Sequence, residues 1–138
     1  MKQLLLFTGL LLLASHFLIA QQRPYNVVFD LTSRDTNDHK MVLRWINLIV
    51  QPNPDAKVEV VFYGQSLDMV VKDKSVVAEE VKKLATNKNV AFRVCAIAMQ
   101  HHNIDKSQLL TGVETVPDGI YEIISKQGEG WGYIKATH

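Results

Sequence analysis

The feature that most constrains this chain is a regular alternation of short β-rich runs with amphipathic helical patterns. Runs rich in β-branched and aromatic residues occur at positions 25–31, 58–63, 90–96, 112–116 and 131–135. Helical patterns or polar loops separate them. Because strands joined by helices pair in parallel through right-handed crossovers, this order predicts an α/β fold. The expected form is a flavodoxin-like three-layer sandwich with a five-stranded, mainly parallel sheet.

Helical periodicity is clearest between the first two runs. Val42, Ile46 and Ile49 are spaced four and three residues apart, so they share one face of a helix. Asn37 or Asp38 is the expected N-cap, because its side chain can accept hydrogen bonds from free backbone N–H groups. Three further helices are predicted, one after Ser75 and the others over residues 104–110 and 120–127.

The first twenty residues have the pattern of a secretory signal peptide. Lys2 supplies a positive start, Leu4 to Leu13 is almost wholly apolar, and Ala20 precedes a polar pair of glutamines. We therefore assign residues 1–20 to a signal peptide and residues 21–138 to one α/β domain. The expected protein is exported, periplasmic or secreted, with no membrane span after cleavage. The alternative is an uncleaved anchor, although the apolar run is short for a span and His16 interrupts it.

Length and charge exclude several classes of protein. The 138 residues suffice for one domain, and the formal net charge of +1 comes with no basic cluster that predicts nucleic-acid binding. Removal of the signal peptide takes away Lys2 and no acidic residue, which leaves the mature chain formally neutral. Burial of surface in an oligomer is one way for a small neutral protein to remain soluble.

Cys95 is the single cysteine, so an intramolecular disulfide is excluded. It ends the third β-rich run, and ligands of doubly wound sheets bind beyond the carboxyl ends of the strands. A thiol there can face the crevice, where neighbouring backbone N–H groups favour the thiolate, the form that attacks sulfane sulfur. The alternative is a small buried hydrophobe, because Val94, Ala96 and Ile97 beside it are apolar.

Two histidines, His101 and His102, follow Cys95 in what the sequence predicts to be a loop. Either could assist the thiol as a base or proton partner. With Cys95 they could also form a soft metal site, but adjacent histidines rarely both bind one ion. The loop at residues 32–37 follows the first strand, where flavodoxins bind phosphate, yet it lacks glycine and carries Asp35. We therefore expect no metal and no cofactor.

Three segments of the chain carry a resemblance to a known family. They are the second β-rich run with Gly64, residues 92–95 with 109–113, and residues 116–135. Together they resemble the DsrE/DsrF-like family of small sulfur-handling proteins over residues 25–136. The resemblance implies a five-stranded α/β fold, trimeric or hexameric assembly and, in the sulfur-transfer members, a persulfide-carrying cysteine after the third strand. Cys95 occupies that position.

Two functions remain open on the sequence. In the first, the protein is a sulfur carrier or sulfurtransferase-like protein of the cell envelope. Cys95 accepts sulfane sulfur as a persulfide, His101 or His102 tunes its protonation, and a homotrimer or homohexamer exchanges sulfur with a donor or acceptor protein. In the second, a non-catalytic oligomer binds a small ligand or a partner, and Cys95 is part of the packed core. The sequence does not decide whether the protein is an enzyme.

Overall fold

The computed structural model describes residues 24–138, so the predicted signal peptide lies outside the described residues. Five strands form one sheet in the order β4-β3-β2-β1-β5, and all neighbouring strands run parallel. Their bounds are β1 Asn26–Leu31, β2 Lys57–Phe62, β3 Val90–Cys95, β4 Val113–Val116 and β5 Gly132–Lys135. The predicted flavodoxin-like α/β class is confirmed.

Four α-helices connect these strands, with two short 3-10 turns at Ser66–Val70 and Lys106–Gln108. The helices are α1 Thr36–Val50, α2 Ala78–Ala85, α3 Ala96–His101 and α4 Gly119–Gly128. Within residues 24–138, no helix is both long and apolar enough to cross a membrane.

The main hydrophobic core lies on the α1 and α2 face of the sheet. Alternate residues of β1, Val27, Phe29 and Leu31, point to this face and are fully or almost fully buried. The helical stripe predicted from the sequence packs against them, since Val42, Leu43, Ile46 and Ile49 of α1 are buried in the same cluster. The apolar stripe of α1 therefore supplies the helical side of the main core.

The opposite face of the sheet carries α4. The chain crosses from β4 at one edge to β5 at the other, and a right-handed crossover in that direction brings its helix to this second face. Val28 and Val61 of the central strands pack there against Ile123 of α4, in a cluster much smaller than the main core. Polar and charged side chains occupy much of the rest of this face.

Three local predictions are wrong. Asp35, rather than Asn37 or Asp38, caps α1, because its carboxylate accepts a hydrogen bond from the Asn37 N–H at 2.7 Å. The helix predicted over residues 104–110 is only the 3-10 turn Lys106–Gln108. The loop predicted after Cys95 is instead the helix α3, which six residues from Ala96 to His101 form without enough length to show a period.

Candidate functional site

Cys95 is the last residue of β3 and the N-cap residue of α3. It pairs in register with Val116, the last residue of β4, so the chain leaving β4 passes directly over the end of β3. The helix that follows, α4, begins at Gly119 against the Cys95 side chain. The thiol therefore lies where the carboxyl ends of two strands meet the first turns of two helices.

Cys95 is part of the wall of an open pocket of about 470 Å³. Residues 63–65, which follow β2, form another part of this wall, and residues of α3 and of the start of α4 form the rest. Only 5% of the Cys95 surface is exposed, so the thiol lies deep in the pocket, and both functions left open by the sequence remain compatible with its position.

Both predicted histidines line the same pocket as Cys95. His101 ends α3, and His102 is its C-cap residue; both are exposed. The His102 Nε2 atom lies 2.5 Å from the Gly64 carbonyl oxygen, which can only accept a hydrogen bond, so Nε2 is the donor. This bond fixes the His102 ring across the pocket, and His101 is the imidazole better placed to exchange a proton with a ligand.

A metal site is not formed by Cys95, His101 and His102. Within the described part of the chain, no group of three or more His, Cys, Asp or Glu side chains comes together in a way that could hold a metal ion. The two histidines project from the end of a short helix, whereas the thiol lies beneath its start. The role of His101 or His102 as a proton partner of Cys95 stays a prediction.

Asp118 brings a carboxylate to the pocket, but this group is engaged in helix capping. Its Oδ1 atom accepts hydrogen bonds from the backbone N–H groups of Ile120 at 2.9 Å and Tyr121 at 3.2 Å. Capping of this kind satisfies donors that the first turn of a helix otherwise leaves free. Asp118 therefore holds the first turn of α4 in place above Cys95.

Tyr63 connects the pocket to a polar network that the sequence interpretation missed. Asp30, almost fully buried at the end of β1, accepts hydrogen bonds from the Tyr133 hydroxyl at 2.7 Å and the Lys135 ammonium at 2.9 Å. The Lys135 Nζ atom also lies 5.5 Å from the centre of the Tyr63 ring. Burial, and then the neighbouring Asp30 carboxylate, raise the pKa of Tyr63, so its hydroxyl keeps its proton at neutral pH.

The only sequence signal for this network was weak. Tyr133 and Lys135 alternate along β5 and so lie on one face of the sheet, and Asp30 is the next-to-last residue of the first β-rich run. Their meeting depends on β5 pairing with β1, which brings Asp30 opposite Lys135. A single sequence does not reveal which strands are neighbours when the chain crosses the whole sheet.

These features define a class: small α/β proteins with a parallel five-stranded sheet and a pocket-lining thiol at its carboxyl edge. Residues 26–136 match the family model described as DsrE/DsrF-like family, and the chain belongs to this family. The resemblance inferred from the sequence is therefore confirmed over nearly the same residues. No curated protein matches the chain.

Three solved structures are similar to this chain. A protein of unknown function, MTH1491 from Methanobacterium thermoautotrophicum, is 27% identical to this chain with a TM-score of 0.75. The match covers 80% of this chain and 98% of the MTH1491 chain, and the coverages below are given in the same order. The ychN protein from E. coli is 11% identical with a TM-score of 0.68, covering 81% and 98%. A conserved protein of unknown function, BT1422 from Bacteroides thetaiotaomicron, is 13% identical with a TM-score of 0.65, covering 80% and 94%. The last two support the fold alone.

Proposed function

We propose that this protein is a sulfur carrier in which Cys95 accepts sulfane sulfur as a persulfide and passes it on. The observation that carries the proposal is the position of the thiol, which together with His101 lines an open pocket at the carboxyl edge of the sheet. Parallel sheets bind their ligands at this edge. Membership of the DsrE/DsrF-like family supports sulfur handling at the level of the family.

The transfer requires no external oxidant or reductant. Cys95 first loses its proton, and His101 is the group proposed to accept it. The thiolate attacks the outer sulfur of a donor persulfide, a new S–S bond forms, and the S–S bond of the donor breaks. The donor's inner sulfur leaves as a thiolate with the electron pair and takes up a proton, and Cys95 is left as a persulfide. An acceptor thiol removes the outer sulfur by the reverse steps.

The proposal includes an oligomer and a location outside the cytoplasm. Outside the residues that line the Cys95 pocket, the exposed face of α4 carries Tyr121 and Ile124, and an apolar surface of this kind supports association into the expected homotrimer or homohexamer. The pattern of residues 1–20 supports export to the periplasm or the medium. A donor or acceptor protein in that compartment would be the sulfur-exchange partner.

Persulfide formation tests the proposal directly. Purified protein is incubated with polysulfide, and the peptide that contains Cys95 is analysed by mass spectrometry. The expected product carries one additional sulfur atom that a thiol acceptor then removes. A Cys95→Ser variant is the matched control, because it keeps the size of the side chain and removes the thiol.

A non-catalytic binding protein is the second candidate function, and the small exposed fraction of Cys95 favours it. In that case the thiol is a packed hydrophobe and the pocket binds a ligand without covalent chemistry. Alkylation of the native protein separates the two candidates. A thiol that reacts only after denaturation supports the binding protein, whereas reaction in the native state supports the carrier.

A further inference from the structure

We propose that Gly119 is a positioning residue that controls access to the Cys95 sulfur. This inference rests on the proposed function of Cys95 and names the residue that determines which donors reach it. Gly119 is the first residue of α4, is buried, and lies between Asp118 and Ile120, which both line the Cys95 pocket.

Gly119 is needed for space rather than for backbone conformation. The glycines with positive φ are Gly64, Gly112 and Gly130, and Gly119 is not among them. A Cβ atom at position 119 would instead lie 3.0 Å from the Cys95 Cβ atom and 3.1 Å from the Val61 Cγ1 atom. Ordinary carbon–carbon contacts are about 3.5–4.0 Å, so both approaches are too short.

The neighbours of Gly119 have little freedom to move away. Cys95 and Val61 belong to β3 and β2, which are interior strands of the sheet, and Val61 is fully buried. Neither atom is at the end of a long flexible side chain. An added methyl group would therefore shift the first turn of α4 slightly against the sheet, and this change alters the pocket.

The added methyl group would also cover the sulfur. The Cβ atom of position 119 would lie 3.6 Å from the Cys95 Sγ atom, which is direct van der Waals contact. Cys95 has only 5% of its surface exposed, so even one methyl group removes a large share of the approach. The residues at the rim, Ile97 and Ile120, remain 47% and 57% exposed and leave the mouth of the pocket open. The absence of a side chain at Gly119 therefore keeps this contact off the sulfur.

The test measures the alkylation rate of native Cys95 with small iodoacetamide and with a bulky maleimide. Gly119→Ala should lower both rates, by roughly tenfold or more for the maleimide, because the added methyl group lies against the sulfur and obstructs the approach of the reagent. The loss should be larger for the bulky reagent. Simple destabilisation would have the opposite sign, since opening of the fold exposes the thiol and raises both rates.

Gly128→Ala is the matched control in the same helix. A Cβ atom at position 128 would meet nothing within 4 Å, so this variant should react like the wild type. If Gly119→Ala does not fold, the double variant Gly119→Ala with Val61→Ala replaces it. That change removes the closest contact outside Cys95 while the added methyl group still covers the sulfur, so slow alkylation is again expected.

A folded Gly119→Ala or double variant that reacts as fast as the wild type with both reagents, or faster, overturns the inference. Failure of the proposed function has a different signature. In that case the wild-type thiol reacts with iodoacetamide but gains no sulfur from polysulfide, and the difference between Gly119→Ala and Gly128→Ala in alkylation is still observed.

Discussion

Replacement of Glu59 by glutamine should stabilise the protein above neutral pH. Glu59 lies on β2 beneath α4 with only 3% of its surface exposed, and its Oε1 atom is buried without a hydrogen-bond partner. The nearest cations, Lys126 of α4 and Arg93 of β3, each lie 3.9 Å from Oε2. Burial is the largest cause that raises the pKa of Glu59, and Glu122 raises it further through a hydrogen bond and through its charge. Although both cations lower it, the pKa of Glu59 is about 7.

The sign of the pH effect follows from this raised pKa. The ordinary value is 4.5, so between pH 4.5 and 7 the folded protein binds a proton at Glu59 more tightly than the unfolded chain does. Stability contributed by this proton is fully present below pH 4.5 and is lost as pH rises through 7. The two pKa values differ by about 2.5, and each pKa unit corresponds to about 1.4 kcal/mol. The proton at Glu59 therefore contributes on the order of 3 kcal/mol to the free energy of unfolding.

Glutamine keeps the size of Glu59 and, like the protonated acid, carries no charge. Glu59→Gln should therefore leave stability at pH 4.5 nearly unchanged and raise it at pH 8 by up to about 3 kcal/mol. Urea unfolding followed by the fluorescence of Trp45 and Trp131, from pH 4.5 to 8, measures the difference from the wild type. Glu79→Gln is the control, because the Glu79 side chain is 89% exposed and should show no such difference.

Equal stability of Glu59→Gln and the wild type at pH 8, or a loss there, would refute the reasoning. Glu122→Gln provides an internal check of the effect of Glu122 on the Glu59 pKa. Since Glu122 raises the pKa of Glu59 by hydrogen bonding and by charge, its replacement should bring the Glu59 pKa closer to the ordinary value and reduce the benefit of Glu59→Gln.

Three further changes test other parts of the account. Gly112→Ala should destabilise the fold by about 2 kcal/mol or more in urea unfolding, because φ is +87° and the added Cβ atom would lie 2.6 Å from the Ala85 Cβ atom; wild-type stability would contradict this. Asp118→Ala removes the cap of α4, so unfolding should be easier by about 1 kcal/mol and Cys95 should alkylate faster than in the wild type. Ile124→Glu places a charge on the exposed apolar face of α4, and light scattering should show a shift from the proposed oligomer to the monomer; an unchanged mass would remove this face from the interface.

The parts of the fold that could be predicted are those that depend on local pattern. The alternation of β-rich runs with the stripe at Val42, Ile46 and Ile49 is enough to indicate a parallel sheet with helices on its faces. The short helix α3 was missed because six residues do not complete two turns, so no period is visible. The cap at Asp35 was missed because several capping residues stand side by side there and local sequence does not rank them.

The candidate site was predictable only in part, for a different reason. The position of Cys95 at the end of a strand follows from local pattern, and the few residues between Cys95 and His101 account for their lining one pocket. The contact of Cys95 with Gly119 and the buried Glu59 beneath α4 depend on a crossover that carries α4 to the second face of the sheet. Contacts of this kind join residues far apart in the chain, and neither periodicity nor composition encodes them.

The most direct test of the central claim is the mass of the Cys95 peptide after native protein meets polysulfide. The account predicts one added sulfur atom on that peptide, its removal by an acceptor thiol, and no addition to the Cys95→Ser variant. An unchanged mass in a native protein whose Cys95 reacts readily with iodoacetamide would contradict the carrier function, because an accessible thiol would then have formed no persulfide.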